Sequence, residues 1–245
     1  MRLDRFIATN TYYSRAQVKK LIKESRVRIN RQCIKTSNIH IDPEVDQITI
    51  DDDVVSELKS QYIMLNKPAD YICATYDAHQ PTVIDLIAEQ LNEIDKTHKQ
   101  LAQRIEHLQI VGRLDKDTTG LVLLTDDGQW NHRITSPNSI CPKHYYATLA
   151  EPISDDAVAR FKQGILLDGE VKPTRPATLE IINEHSVKVM LLEGKYHQVK
   201  RMFAAIGNRI TSLHRESIGA IHLDKKLSSG AFRALKHEEV ASVDT

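Results

Sequence analysis

The 245-residue sequence has little of what marks several classes of protein. It contains three cysteines, Cys33, Cys73 and Cys141, which form neither a close pair nor a metal-ligand spacing. This scarcity argues against a disulfide scaffold and favours a reducing, cytoplasmic compartment. Long apolar runs and a signal-like N-terminus are also missing, so we expect neither a membrane span nor secretion.

Motifs for cofactors and metals are missing as well. The sequence contains no GxGxxG, no phosphate-cradling GxxxxGK[ST] and no HExxH. Cys141 and His144 form one C-x-x-H, but no second pair of ligands accompanies them, and zinc is not expected. We therefore predict a protein that needs neither a cofactor nor a bound metal.

The net charge is zero, yet the charges are unevenly distributed along the chain. Residues 1–35 contain ten basic and two acidic side chains, whereas residues 42–58 contain seven acidic side chains and no Lys or Arg. A basic run is often just a solvated helix face, but such strong segregation indicates a surface that binds a polyanion.

An amphipathic helix with a basic face is predicted after Ser14, which is suited to cap it. Its apolar stripe consists of Val18, Leu21 and Ile22. Cations spaced by four residues form a row on another face: Arg15, Lys19 and Lys23. A shorter helix precedes it and residues 26–30 alternate as a strand, which argues against a DNA-binding helix-turn-helix.

The rest of the chain favours a mixed α+β fold with a largely antiparallel sheet, because strands outnumber helices without regular alternation. Strands are predicted at 63–65, 121–124, 145–149, 179–182 and 187–192. Helices are predicted after Thr82, after Ser154 with Asp155 and Asp156 in the first turn, and from Gln198 to Gly207.

The boundary between the two parts is predicted in the acidic stretch from Asp51 to Ser60. We interpret the three neighbouring aspartates at 51–53 as a solvated linker rather than a metal site, since no other ligand cluster accompanies them. The predicted domains are therefore a small one at residues 1–58 and a larger one at residues 59–245.

The most specific segment runs from Val111 to Gly128, VGRLDKDTTGLVLLTDDG. It places Asp115 between a basic residue and a polar turn that leads into an apolar strand. Two further segments occur in the expected order, KHY at 143–145 and EGKYHQVKRMF at 193–203. Together they resemble the pseudouridine synthases, in the branch that carries an N-terminal S4 RNA-binding domain. The resemblance covers nearly the whole chain.

The resemblance implies an enzyme that isomerises uridine in RNA. Asp115 would be the nucleophile, attacking either ribose C1′ or base C6. Lys200, where many relatives have arginine, would keep Asp115 ionised, because a nearby cation lowers the pKa of a buried carboxylate. Tyr145 would stack on the flipped base and assist proton transfer. From the residues alone, Tyr145 is better explained as a core residue and Lys200 could be an ordinary surface cation.

RNA contacts follow from the same resemblance. Arg15, Lys19 and Lys23 would bind through the S4-like helix, and Arg113, Lys143 and Arg201 near the active site. Arg113 could instead fill the space left by the flipped base, and Lys143 could be a solvated turn residue. A second phosphate-binding surface is predicted from five cations with no acidic residue between them: Lys195, Lys200, Arg201, Arg209 and Arg215.

The implied partner is ribosomal RNA, as 16S RNA or a small-subunit assembly intermediate, bound by a monomer. The alternatives are an enzyme for 23S ribosomal RNA or transfer RNA, and a non-catalytic RNA-binding assembly factor. The combination of Asp115, Tyr145 and Lys200 argues against the non-catalytic alternative. Residues 88–109 are longer and more polar than the family pattern, which leaves a lid and a solvent-facing helix as open interpretations.

Overall fold

The computed structural model describes residues 1–11, 13–57, 59–93, 101, 105–136 and 139–243. The chain divides into two compact units: Met1–Ser60 with Lys99–Arg104, and Gln61–His98 with Ile105–Thr245. The open question about residues 88–109 falls partly outside the described residues, which in this segment are 88–93, 101 and 105–109. Across the described parts of the chain, none of the helices combines the length and apolar character needed to cross a bilayer.

The first unit packs two helices on a small sheet. Helices α1 (Leu3–Asn10) and α2 (Arg15–Lys23) precede strands β1 (Val27–Ile29), β2 (Gln32–Cys33), β3 (Ile48–Ile50) and β4 (Asp53–Val54), in the sheet order β2-β1-β3-β4. Ser14 caps α2 in a capping box with Gln17, as its sequence position predicts. The predicted apolar stripe of α2 is buried in the core of this unit.

The acidic stretch at 51–53 is part of this sheet, so the prediction of a solvated linker there was wrong. Asp51 and Asp52 form the turn between β3 and β4, both with positive φ, a backbone conformation that aspartate tolerates better than most residues. Asp51 pairs with Arg26 and Asp52 pairs with Arg28. These pairs occupy two of the cations that gave the N-terminal segment its basic character.

The second unit is built on one nine-stranded sheet. Its strands are β5 (Tyr62–Lys67), β6 (Gln109–Val111), β7 (Thr119–Thr125), β8 (Lys143–Leu149), β9 (Thr178–Asn183), β10 (Ser186–Leu191), β11 (Ile210–Ile218), β12 (Ile221–His222) and β13 (Phe232–Ala234). The main order is β13-β5-β7-β11-β8-β10-β9, with β6 beside β7 and β12 beside β11. The predicted strands are confirmed, and so is the largely antiparallel sheet.

Helices cover this sheet. They are α3 (Val83–Glu93), α4 (Gly128–Thr135), α5 (Ala157–Gln163), α6 (Gln198–Ala205) and α7 (His237–Ala241), with a 3₁₀ turn at Ile105–His107. Phe161 of α5 and Phe203 of α6 are in ring contact above the apolar residues of β8 to β11. The predicted cap at Ser154 was wrong, because Asp155 and Asp156 form a turn and the helix begins at Ala157.

The centre of the sheet depends on a close backbone contact at Gly120. Strands β7 and β11 are the one parallel pair among the described strands, with Arg215 beside Gly120. Gly120 has a φ of +101°, and a Cβ at this position would lie 2.4 Å from the Arg215 carbonyl oxygen. Only glycine fits this conformation and this spacing.

We predict that Gly120→Ala destabilises the second unit by roughly 2–5 kcal/mol, from left-handed backbone strain plus overpacking against β11. Urea unfolding followed by circular dichroism measures this loss. Gly169→Ala is the matched control, since Gly169 also has a positive φ (+75°) but a Cβ there would meet no atom within 4 Å. Equal losses in the two variants would show that the contact with β11 contributes nothing.

Candidate active site

Asp115 lies in the loop that joins β6 to β7, as the motif predicts. The loop leaves β6 through Gly112, whose φ is +74°. Leu114 is buried and its amide donates to the Cys73 sulfur at 3.3 Å, while the Thr118 amide donates to the Asp115 carbonyl at 3.1 Å. These contacts fix the loop backbone and leave the Asp115 side chain only partly covered, with 25% of it exposed.

Two buried cations, Lys67 and Arg215, donate hydrogen bonds to the backbone of this loop. The Lys67 ammonium, which is fully buried, donates to the carbonyls of Pro68, Lys116 and Thr118 at 2.8–3.0 Å. Arg215 donates to the carbonyls of Leu121 and Gly112 at 2.8 Å, and to that of Arg113 at 3.4 Å. Because a buried cation needs several hydrogen bonds, each of these side chains ties the loop to a neighbouring strand.

The prediction that Arg215 belongs to a phosphate-binding surface was therefore wrong. Arg215 is 2% exposed, and its guanidinium donates to backbone carbonyls of the loop at 112–118. Lys195 and Arg201 are also engaged within the protein, since both pair with Glu170, at 2.7 and 3.4 Å. Lys200 is partly exposed and pairs with Asp115 and Asp117, whereas Arg209 is exposed. An RNA contact at Arg201 stays a prediction.

The Asp115 carboxylate has a different partner at each oxygen. Lys200 Nζ lies 3.1 Å from Oδ2 and His197 Nε2 lies 3.4 Å from Oδ1. Lys200 also contacts Asp117 at 2.5 Å. Burial alone would lower the pKa of Lys200, but its hydrogen bonds to Asp117 and Asp115 outweigh burial and raise this pKa above its ordinary value. The pKa of Asp117 is lowered, chiefly by its hydrogen bond to Lys200. Lys200 therefore stays protonated at neutral pH.

His197 and Asp117 are two members of the site that the sequence analysis did not select. His197 occupies the N-cap position of α6 with φ +46°, and its ring stacks on that of Tyr196 at 3.8 Å between centroids. His197 and Lys200 are three residues apart at the start of a helix, a spacing that places side chains on one face. That spacing was a usable signal for His197, and the D-x-D pattern was one for Asp117.

The carboxylate opens into a cavity of about 360 Å³. Its lining includes Arg113, Asp115, Lys143, Tyr145 and Lys200. Five of the predicted site residues thus lie around one cavity. Tyr145 lies near the start of β8 and is partly exposed, so it is not a fully buried core residue. Burial lowers the pKa of Lys143.

The remaining predicted RNA-binding residues lie in the first unit. Arg15, Lys19 and Lys23 are all exposed on α2, on a different face from its buried apolar stripe. Among the residues that the structure describes, no group of three or more His, Cys, Asp or Glu side chains is arranged to hold a metal ion. The chemistry available in the cavity is that of a carboxylate with cationic partners and a phenol.

Comparison with known families agrees with this geometry. A family model described as RNA pseudouridylate synthase matches residues 61–205, and a model of the S4 domain matches residues 1–46. The chain therefore belongs to the RNA pseudouridylate synthase family. In this chain an S4 domain precedes the region that matches the synthase model. The predicted fold class is confirmed.

Individual relatives match over almost the whole chain. Ribosomal small subunit pseudouridine synthase A of Haemophilus influenzae is 45% identical and is covered over 98% of both chains. The protein of the same name from Salmonella typhimurium is 46% identical over 99% of this chain and 100% of its own. A crystal structure of a pseudouridylate synthase superposes with a TM-score of 0.67, at 43% identity and 99% coverage of each chain.

The ion pair at Asp115 leads to a prediction about Lys200. Lys200→Met should lower kcat at saturating RNA by about 100-fold or more, because the Asp115 carboxylate loses its fixed cation. Lys200→Arg should retain most of the rate. The matched control is Lys116→Met, which removes an exposed lysine beside the nucleophile. A similar loss of kcat in both Met variants would mean that Lys200 contributes only a general attraction for phosphate and has no specific role beside Asp115.

Proposed function

We propose that the protein converts one uridine of 16S ribosomal RNA to pseudouridine, with Asp115 as the nucleophile. The observation that carries this proposal is the Asp115 carboxylate, which lies between Lys200 and His197 and lines the cavity. The relatives named for the small ribosomal subunit support the choice of RNA. They match this chain from end to end, including both units.

The reaction breaks the bond between ribose C1′ and base N1, turns the uracil, and forms a bond from C1′ to C5. The proton on C5 leaves and N1 gains one, so the product is an isomer of the substrate. Asp115 would attack C1′ or C6 and be released when the new bond has formed. The attack requires the carboxylate form of Asp115, and Lys200 places an ammonium group 3.1 Å from it.

The uridine must leave its stack before Asp115 can reach it. Tyr145 borders the same cavity and would stack on the flipped base and assist proton transfer. Arg113 would fill the vacated space or contact phosphate, and Lys143 and Arg201 would contact the backbone. Lys143 is partly buried beside the cavity, so a phosphate there would meet a cation with few competing waters.

The first unit would supply affinity for the RNA. We assign residues 1–58 to an S4-type RNA-binding domain and residues 59–245 to the catalytic domain, and we propose a monomer that acts in the cytoplasm. Arg15, Lys19 and Lys23 would track phosphates along one face of α2. Residues 1–46 match the S4 model, which supports this role.

The nucleophile is tested with Asp115→Asn, which removes the ionised oxygen at nearly constant volume. Tritium release from RNA labelled at uridine C5 should fall by roughly 10⁴-fold or more, while the melting temperature and RNA affinity stay near those of the wild type. Asp117→Asn is the control, because that carboxylate also contacts Lys200. Near-normal release from the Asp115 variant would reject the assignment.

The substrate is tested by mapping pseudouridines in 16S RNA, 23S RNA and transfer RNA from a strain lacking the protein. One 16S position should lose its modification and regain it when the wild-type gene, but not the Asp115→Asn variant, is returned. A lost site confined to 23S or transfer RNA would change the substrate. An unchanged map would favour the non-catalytic assembly factor.

The row on α2 is tested by changing Arg15, Lys19 and Lys23 together to Gln. The slope of log affinity against log salt should become shallower by roughly 0.7–0.9 per lost phosphate contact, while turnover at saturating RNA changes little. The control is the same change at three exposed lysines of the second unit, Lys162, Lys172 and Lys226. If both triple variants show the wild-type slope, the row on α2 is a solvated face.

A further inference from the structure

Tyr196 is an exposed aromatic residue beside the active site. Tyr196 is 73% exposed, which is unusual for a residue with so large an aromatic ring. One face of the ring is covered by the imidazole of His197, with centroids 3.8 Å apart and planes 20° from parallel. The exposure leaves the other face open to solvent.

Hydrogen bonds fix the backbone segment that carries the two rings. The Lys195 amide donates to the side chain of buried Gln198 at 2.8 Å, just before Tyr196. Arg201 donates to the Tyr196 carbonyl at 3.2 Å. His197 adopts a left-handed backbone conformation that most residues avoid, and strain of this kind persists only where neighbouring contacts enforce it. These contacts fix the backbone from which both rings project.

The stack is directly connected to the nucleophile. His197 lines the cavity, and its Nε2 lies 3.4 Å from Asp115 Oδ1. A base resting on the outer face of Tyr196 would therefore lie one ring away from a residue that touches the nucleophile. Such a base would lie outside the cavity lining, which includes His197 but not Tyr196.

We propose that Tyr196 is a stacking platform for an unpaired nucleobase next to the flipped uridine. Extrusion of one nucleotide removes a stacking partner from its neighbour, and RNA-binding proteins replace such a partner with an aromatic ring. This inference rests on the proposed function, since it needs an RNA substrate with a flipped base. It adds a second base-binding position beyond the cavity that receives the uridine.

The platform is tested by measuring Kd, KM and kcat for Tyr196→Ala, Tyr196→Phe and Tyr76→Ala on 16S RNA from the strain lacking the protein. Tyr196→Ala should raise Kd and KM by roughly 5- to 150-fold, the loss measured when one base loses an aromatic partner, with kcat nearly unchanged. Tyr196→Phe should bind like the wild type. Tyr76 is an 80% exposed tyrosine outside the cavity lining, so Tyr76→Ala should have no effect.

Three results would overturn the platform: an unchanged Kd in Tyr196→Ala, an equal loss in Tyr196→Phe, or a fall in kcat without a change in Kd. The third would mean that Tyr196 acts only through His197 on Asp115. A direct measurement uses RNA with 2-aminopurine beside the mapped uridine, whose fluorescence should be quenched by the wild type and not by Tyr196→Ala. If no uridine can be mapped, the proposed function fails; if one is mapped and quenching persists in Tyr196→Ala, only the platform fails.

Discussion

The active site depends on two buried cations that bind backbone rather than substrate. Lys67 and Arg215 enter the loop at 112–118 from two different strands, and together they donate to six carbonyl groups in and around it. A buried cation without such partners would be very costly, so the loop cannot move away without leaving both charges unpaired. The position of Asp115 thus depends on the hydrogen bonds from Lys67 and Arg215 to the loop backbone as well as on the sequence of the loop.

The Lys200 ammonium pairs with two carboxylates of the loop, those of Asp115 and Asp117. Lys200 lies between Asp115 and Asp117, and a compact ammonium with three rotatable donors suits this arrangement better than a planar fork directed at one partner. Asp117 then has a physical role, because it helps keep Lys200 charged and in place. His197 Nε2 lies 3.4 Å from the second oxygen of Asp115, on the side away from the Lys200 contact at Oδ2.

Much of this architecture was predictable because it is local. Hydrophobic periodicity gave the strands around 121–124 and 187–192, and a capping pattern gave α2. One error was local, the cap at Ser154, and the other two came from long-range partners. The turn at 51–53 finds its arginines more than twenty residues away, and Arg215 reaches a loop about a hundred residues upstream. Charge counts cannot distinguish a buried cation from a surface one, since only the tertiary fold decides which cations face backbone.

The parallel pairing of β7 with β11 has a consequence for when activity can arise during synthesis. Both helices and all four strands given above for the first unit lie within the first sixty residues, whereas the motif loop cannot be secured until Arg215 has been made. Contacts of such high sequence separation form late, because a long loop must close before they contribute. A nascent chain therefore gains the elements of its S4 domain well before the loop that carries Asp115 is secured, and a product truncated before Arg215 would have the first without the second.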